Sequence, residues 1–333
     1  MLAFAVALLL APQQPTVAYD PLALPSSSTE AAKPLDLAVA DAARERTIPL
    51  RVWLPATSPA PVVLWSHGLG GSRDNAPYLG RHWSARGYVV VCMQHAGSDE
   101  SVWRGVRLGE RMEAMRRAAS AENLRLRGED VKAVLDQLGR WHGDAAHALH
   151  GRLDLEHVGM TGHSFGAVTT QAVAGQAMPL LGQLWTDARI DAALPMSPSS
   201  PAAGDARRAF AKVTVPWLLM TGTKDDSSIG NQTPESRREV FPVLPATIDR
   251  YELVLHDAHH GAFSERPLPG ESAARKEQHH RAILGVSTAF WDAYLRGDAA
   301  ARAFLQGDAA RSVLAAEDVW QAAIGVPATG PGR

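Results

Sequence analysis

The protein has 333 residues, of which 46% are hydrophobic and 20% charged, and its formal net charge is −2. This composition excludes general disorder, because enough apolar side chains are present to bury a sizeable core. Acidic and basic residues are interspersed along the chain, which excludes a strongly basic face, so we predict no nucleic-acid partner.

Residues 1–35 are predicted to be a signal peptide followed by a linker. The stretch 2–11 is apolar over the length of a signal-peptide core and is too short to span a bilayer. Small residues at 16–18 offer a cleavage site, although no basic residue precedes Lys33. We therefore expect a secreted or periplasmic protein without stable membrane insertion, and a cytoplasmic location is the alternative.

Short apolar segments alternate with longer helical patterns from residue 36 to 325, which is typical of a mostly parallel sheet with helices on both faces. The alternating segment 47–53 is predicted to be an outer antiparallel strand. Buried strands are predicted at 62–65, 88–93, 158–160, 190–194, 217–220 and 251–255, and helices at 78–86, 111–141, 165–176 and 277–295. We expect one α/β domain with an eight-stranded sheet and a disordered tail over 326–333.

The only cysteine, Cys92, lies within the predicted strand 88–93. An intramolecular disulfide is therefore excluded, and a buried thiol is expected. A second distinctive region is the segment 97–128, which carries Trp103, Met112 and Met115 among many Arg and Glu residues. One interpretation of this segment is a cap-like insertion that partly covers a site. The alternative is a charged surface helix whose apolar stripe packs on the sheet.

The motif Gly162-His-Ser-Phe-Gly166 lies between a predicted strand and a predicted helix. This context is typical of a nucleophile elbow, a tight turn that exposes a serine hydroxyl at the edge of a sheet. The turn leaves no room for side chains at Gly162 and Gly166. The helix that follows offers unpaired N–H groups for an oxyanion. We predict that Ser164 is the nucleophile.

The motif Ser66-His-Gly-Leu-Gly-Gly71 follows another predicted buried strand. An oxyanion hole needs two backbone N–H groups that converge on one point, and glycine-rich turns allow such an approach. We assign the two donors to the N–H of Leu69 and the N–H of Phe165, and we expect His67 to brace the loop. The alternative is a strand-ending turn without a role in chemistry.

An acid and a base are expected after the later strands. Asp225 and Asp226 follow the strand 217–220, and His259 and His260 follow the strand 251–255. A carboxylate can fix the tautomer of a histidine that accepts the serine proton. The chain order Ser, Asp, His is that of the α/β hydrolases. The residues alone leave open which member of each adjacent pair takes part.

The two glycine motifs, Ser66-His-Gly-Leu-Gly70 and Gly162-His-Ser-Phe-Gly166, together resemble those of the platelet-activating-factor acetylhydrolases and of related secreted bacterial esterases, often labelled dienelactone-hydrolase-like. They are more distantly similar to the cutinase-type polyesterases, and the resemblance covers about residues 36–295. It implies an α/β-hydrolase fold. It also implies Leu69 and Phe165 as oxyanion donors.

The resemblance also decides between the adjacent candidates. It implies Asp225 as the acid, three residues after Gly222, and His260 as the base, three residues before Phe263. Two departures qualify it. The animal acetylhydrolases take their acid after the strand that matches 190–194, where this chain has no carboxylate, and true dienelactone hydrolases use a cysteine where this chain has Ser164.

We therefore predict a serine carboxylic-ester hydrolase that acts through an acyl-enzyme intermediate, with a small-molecule or polymeric ester as its partner. Alternatives are a lipase or phospholipid acetylhydrolase, a polyester hydrolase with the same triad, or a non-catalytic binding module on the same fold. We predict no cofactor and no metal, and we favour a monomer.

Four side chains at or just after strand ends are candidates for lining the substrate pocket, because open α/β sheets bind ligands at these ends. They are Trp65, His95, Trp103 and Met196. Packing in the core is the alternative for each of them.

Overall fold

The computed structural model describes residues 18–25, 33–179, 182–201, 204–265 and 273–326. Their strands form one nine-stranded sheet in the order β1-β2-β4-β3-β5-β6-β7-β8-β9. The strands are β1 (Leu35–Asp41), β2 (Arg46–Trp53), β3 (Ala60–Ser66), β4 (Val89–Met93), β5 (Leu153–His163), β6 (Ala192–Met196), β7 (Trp217–Lys224), β8 (Arg250–His259) and β9 (Val319–Ala323). The pairs β1–β2, β2–β4 and β8–β9 are antiparallel, and the other five pairs are parallel.

The predicted α/β architecture with a mostly parallel sheet is confirmed, and the predicted number of strands is wrong. The two edge strands, β1 and β9, were not predicted from the sequence. Side chains in both strands are mostly exposed or half-buried, so neither strand has the continuous apolar run of a central parallel strand. β1 also begins at Leu35, the last residue assigned to the linker.

Nine helices accompany the sheet in the described part of the chain. They are α1 (Pro77–Ala85), α2 (Arg111–Ala118), α3 (Ala121–Gly143), α4 (Phe165–Val173), α5 (Ala206–Phe210), α6 (Pro234–Arg238), α7 (Val240–Val243), α8 (Ala273–Leu295) and α9 (Ala299–Gln306).

The single helix predicted over 111–141 is wrong, because the chain breaks between α2 and α3. Ser120 caps α3 by accepting a hydrogen bond from the backbone N–H of Asn123. The side chain of Asn123 in turn donates to the carbonyl of Ala118, at the end of α2. The two polar side chains thus satisfy both helix ends at the break.

Two hydrophobic cores lie on the two faces of the sheet. Successive strand residues point to opposite faces, so Val63 and Trp65 of β3 belong to the first core and Val62 and Leu64 to the second. Helices α1, α8 and α9 cover the first core, and α3, α4, α5 and α7 contribute to the second. Cys92 is 3% exposed in the first core, which confirms the predicted buried thiol.

The two ends of the chain, 1–35 and 326–333, are described only in part. The apolar stretch 2–11 of the predicted signal peptide lies outside the described residues. In the predicted linker, the hydroxyl of Tyr19 donates to Asp292 of α8 at 2.7 Å, and the Tyr19 ring lies edge-on to Phe304. In the predicted tail, the N–H of Val326 donates to the carbonyl of Ala246, and 327–333 lie outside the described residues.

None of the helices in the described ranges is long and apolar enough to cross a bilayer.

Candidate active site

Ser164 lies in the turn between β5 and α4. Its backbone has φ 59° and ψ −115°, a conformation that costs a non-glycine residue free energy and that persists only where neighbouring structure enforces it. The two flanking glycines are required by space. A Cβ on Gly162 would lie 2.5 Å from the carbonyl oxygen of Gly166, and a Cβ on Gly166 would lie 1.9 Å from that of Ser66. The turn is therefore the strand–serine–helix elbow that the motif predicts.

His260 brings the ends of three parallel strands together. It follows β8, and its Nε2 lies 2.9 Å from the Oγ of Ser164, which follows β5. Its Nδ1 lies 2.6 Å from Oδ1 of Asp225, which follows β7. Because the carboxylate can only accept at neutral pH, Nδ1 carries the proton and Nε2 is free to accept from the serine hydroxyl. The side chain of His260 remains 25% exposed, whereas Asp225 is fully buried.

The Asp225 carboxylate contacts the side chains of His260, Thr221 and Arg237. Besides the bond from His260, its Oδ2 accepts from the hydroxyl of Thr221, and Nε of Arg237 lies 3.1 Å from its Oδ1. Burial acts to raise the pKa of Asp225, but the hydrogen bond from His260 and the charge of Arg237 outweigh it and lower this pKa below its ordinary value. Asp225 is therefore a carboxylate at neutral pH.

Arg237 fixes the loop that carries Asp225. This arginine of α6 is 2% exposed, and it donates to the carbonyl oxygens of Asp225, Ser197 and Pro198 at 2.8, 3.0 and 2.9 Å. Its guanidinium thus joins the ends of β6 and β7. Arg237 was not predicted from the sequence, because no local pattern around α6 indicates its role.

The structure separates the adjacent candidates of the sequence analysis by burial. Asp226 and His259 are both exposed. Their neighbours Asp225 and His260 are the ones that the structure brings together with Ser164.

His163 is an additional residue of the site. Its ring lies 4.7 Å from that of His260 and 5.5 Å from that of Phe263, measured between centroids. Burial lowers the pKa of His163 to about 3. His163 is therefore a neutral side chain at physiological pH that packs beside the imidazole of His260. Its place in the elbow motif signals its position but not this contact.

The glycine loop after β3 lies against the elbow. A Cβ on Gly68 would be 3.3 Å from both the carbonyl oxygen of His163 and the Cβ of Ser164. Within the described chain, the backbone N–H groups of Leu69 and Phe165 donate to no protein acceptor. They remain available to a ligand, as the predicted oxyanion donors must be.

The segment 97–128 contacts the same loop from outside. The indole Nε1 of Trp103 donates to the carbonyl of Gly70 at 2.7 Å, and a Cβ on Gly70 would meet Sδ of Met115 at 2.7 Å. Met112, in contrast, is 43% exposed. Part of the segment therefore packs beside the predicted oxyanion loop, and part of it faces solvent.

A buried polar network lies behind this loop. The hydroxyl of Ser66 bonds to Nε2 of His95 at 2.9 Å, and Nδ1 of His95 bonds to Asp130 at 3.0 Å. Nε2 of His67 accepts the backbone N–H of His95 at 3.0 Å. His67 thus braces the loop, as the sequence analysis expected. Burial lowers the pKa of His95 to about 4, so its ring is neutral at physiological pH.

Three of the four proposed pocket residues are enclosed in this structure. Trp65 is 2% exposed, and His95 and Met196 are fully buried. Trp65 and Met196 belong to the first core, and His95 belongs to the network behind the loop. For these three side chains the alternative prediction, packing in the interior rather than lining the substrate pocket, agrees with the structure. Trp103 alone is half-buried beside the glycine loop.

The fold and site together define an α/β protein with a hydrogen-bonded Ser–His–Asp triad at the carboxyl ends of three parallel strands. In the described ranges, no three His, Cys, Asp or Glu side chains are grouped so that they could hold a metal ion. No protein-family model matches the chain, and the comparison with curated proteins finds no match.

Proposed function

We propose that the protein is a serine carboxylic-ester hydrolase of the α/β-hydrolase fold. The observation that carries the proposal is a pair of consecutive contacts through His260. Its Nε2 lies 2.9 Å from Oγ of Ser164, and its Nδ1 lies 2.6 Å from Oδ1 of Asp225. Both distances are those of hydrogen bonds, so the proton has a direct path from nucleophile to base.

The geometry supports a two-step reaction. His260 accepts the proton of Ser164 as the serine oxygen attacks the ester carbonyl, and Asp225 stabilises the imidazolium that forms. His260 then gives this proton to the alcohol, which leaves. In the second step His260 takes a proton from water, which attacks the acyl-enzyme. As the bond between the acyl carbon and Oγ breaks, His260 returns this proton to Ser164, and the carboxylic acid is released.

The tetrahedral intermediate of each step carries a negative oxygen. The N–H groups of Leu69 and Phe165 are the donors assigned to this oxygen, and neither is committed to another acceptor within the described chain. The N-terminus of α4 adds the positive end of a helix dipole. Donors that are oriented before the reaction stabilise the developing charge without reorganisation.

The proposal is tested with a fluorophosphonate probe and p-nitrophenyl esters. Wild-type protein should be labelled at Ser164, and Ser164→Ala should stay folded and lose roughly 10³- to 10⁶-fold in turnover. Ser228→Ala is the matched control, since Ser228 is an exposed serine of the loop after β7. Labelling of another serine, with full activity in Ser164→Ala, would contradict the assignment. A binding module would show neither labelling nor turnover.

A second assay addresses the substrate class. Rates are compared across p-nitrophenyl esters of increasing acyl length, and release of soluble products from a polyester film is measured in parallel. A small-ester hydrolase loses rate as the acyl chain lengthens and leaves the film intact. A lipase gains rate with chain length, and a polyesterase releases products from the film.

A further inference from the structure

Arg127 is a fully buried cation of α3. In the described ranges, no carboxylate lies within 4 Å of it. Asp130, one turn further along α3, is already engaged by Arg44, Arg46 and His95 at 3.0, 2.7 and 3.0 Å. Burial lowers the pKa of Arg127 to about 9, which leaves the guanidinium charged at neutral pH. A positive charge without a direct counter-ion is thus enclosed beside the active site.

The guanidinium directly contacts the glycine loop before Leu69, and it reaches the residue after Leu69 through Ser98. Its Nη1 donates to the carbonyl of His67 at 2.7 Å, two residues before Leu69. Its Nε donates to Oγ of Ser98 at 2.8 Å, and the carbonyl of Ser98 accepts the N–H of Gly70 at 2.9 Å. Arg127 therefore holds the residues before and after the first assigned oxyanion donor.

The same guanidinium contacts the second donor residue. Its Cζ lies 4.5 Å from the centroid of the Phe165 ring, within the range of a cation–π contact. One side chain thus touches both segments whose N–H groups are assigned to the oxyanion.

A chain of hydrogen bonds keeps this side chain in place. Nη1 of Arg127 donates to Oγ of Ser66 at 3.3 Å, the Ser66 hydroxyl donates to His95, and Nδ1 of His95 donates to Asp130. All four side chains are fully buried. Ser66, His95 and Asp130 are hydrogen-bonded in the order of a Ser–His–Asp triad. Because Ser66 is fully buried, no substrate can reach it. The role of this chain of hydrogen bonds is to orient the guanidinium.

We infer that Arg127 is the positioning residue of the oxyanion hole. It sets the distance between the glycine loop and Phe165, and its charge favours the negative oxygen that forms between them. Both effects act on the tetrahedral state more than on the bound ester, so Arg127 acts on kcat rather than on KM. The inference rests on the proposed ester hydrolysis by Ser164.

The test compares Arg127→Gln and Arg127→Lys with the wild type. For Arg127→Gln, kcat should fall about 10²-fold with KM within about twofold, and fluorophosphonate labelling of Ser164 should slow in parallel. Arg127→Lys, which keeps the charge but lacks the planar fork, should recover part of kcat. Arg189→Gln is the control, because Arg189 pairs with Asp187 and Asp136 away from the site and its loss should leave kcat unchanged.

A second variant covers the case in which Arg127 variants do not fold. Phe165→Leu keeps the backbone N–H and removes the ring, and it too should lower kcat with little change in KM. If both single variants fold, the fold-losses in kcat of Arg127→Gln and Phe165→Leu should not multiply in the double variant. The reason is that each substitution removes one side of the same contact.

The outcomes separate this inference from the proposed function. If wild-type Ser164 is labelled and a folded Arg127→Gln protein reacts at the same rate, the inference fails and the ester hydrolase stands. An unchanged kcat in Phe165→Leu overturns the inference where no Arg127 variant folds. If wild-type Ser164 is not labelled at all, the proposed function fails and the inference falls with it.

Discussion

Burial distinguishes two neighbouring aspartates after β7. Asp225 is fully buried and bonded to His260, whereas Asp226 is exposed. Asp225→Asn should lower kcat roughly 10³- to 10⁴-fold, because an amide can no longer hold the tautomer of His260 that accepts the serine proton. Asp226→Asn should leave kcat within about twofold. Steady-state kinetics on a p-nitrophenyl ester measures both, and the reverse ranking would assign the acid to Asp226.

The two histidines after β8 differ in the same way. His260 bonds to Ser164, and His259 is exposed. His260→Ala removes the base and should lower turnover and fluorophosphonate labelling by roughly 10³-fold or more. His259→Ala, the matched control, should react as the wild type does. Near-normal turnover in His260→Ala would show that another group accepts the proton.

Sequence reasoning succeeds for residues whose requirement is local. The elbow serine is predictable because two glycines, a strand and a helix within a few residues specify the turn. The choice of Asp225 and His260 needed a resemblance, because adjacent residues carry no information on which one the fold buries. Arg127 was not predictable. Its contacts with Ser66 and His67 join residues 61 and 60 positions apart and depend on how α3 packs on the sheet.

The elbow as an element has no free volume at its second glycine. A Cβ on Gly166 would lie 1.9 Å from the carbonyl oxygen of Ser66, and backbone on both sides restricts relaxation. Gly166→Ala should destabilise the fold by about 1–3 kcal/mol and lower kcat/KM roughly 10²-fold through displacement of Ser164.

A matched substitution provides the control for the elbow. Gly109, in a short turn before α2, has no atom within 4 Å of a new Cβ, so Gly109→Ala should change neither property appreciably. Thermal melts and ester kinetics on both variants make the comparison. If the two variants had the same melting temperature and the same kcat/KM, the elbow would accommodate a Cβ at Gly166 more easily than its contacts indicate.

Among the elements, central strands were predictable and edges were not. β4 is an unbroken run of five buried residues, which apolar composition alone identifies. β9 buries none of its side chains fully, and only its pairing with β8 makes it a strand. The break between α2 and α3 was missed because the polar residues that form it, Ser120 and Asn123, also occur on exposed helix faces.

At the scale of the whole molecule, buried histidines link stability to pH. Burial lowers the pKa of both His82 and His95 to about 4, against about 6.5 in an unfolded chain. Between these values the unfolded chain binds protons that the folded protein does not. As the pH falls from 6.5 to 4, each residue should therefore lower the free energy of unfolding by about 1.4 kcal/mol per pH unit. Above pH 6.5 neither residue contributes to the pH dependence. His163 and His280 act in the same direction.

Urea denaturation at pH values from 7.5 to 4.5 measures this dependence. His82→Gln should reduce the slope by about 1.4 kcal/mol per pH unit. His256→Gln is the control, because its side chain is 46% exposed. A stability that stays constant down to pH 4.5 would contradict the expected proton uptake.

The two cores on opposite faces of the sheet have an optical consequence. Trp65, Trp83 and Trp291 are fully buried in the first core, and Trp217 is fully buried in the second. Each layer thus carries its own intrinsic fluorophore, shielded from water. If both layers unfold as one cooperative unit, the emission shifts to longer wavelength in a single transition that coincides with the loss of helical circular dichroism. Two separated shifts would mean that the layers on either side of the sheet unfold independently.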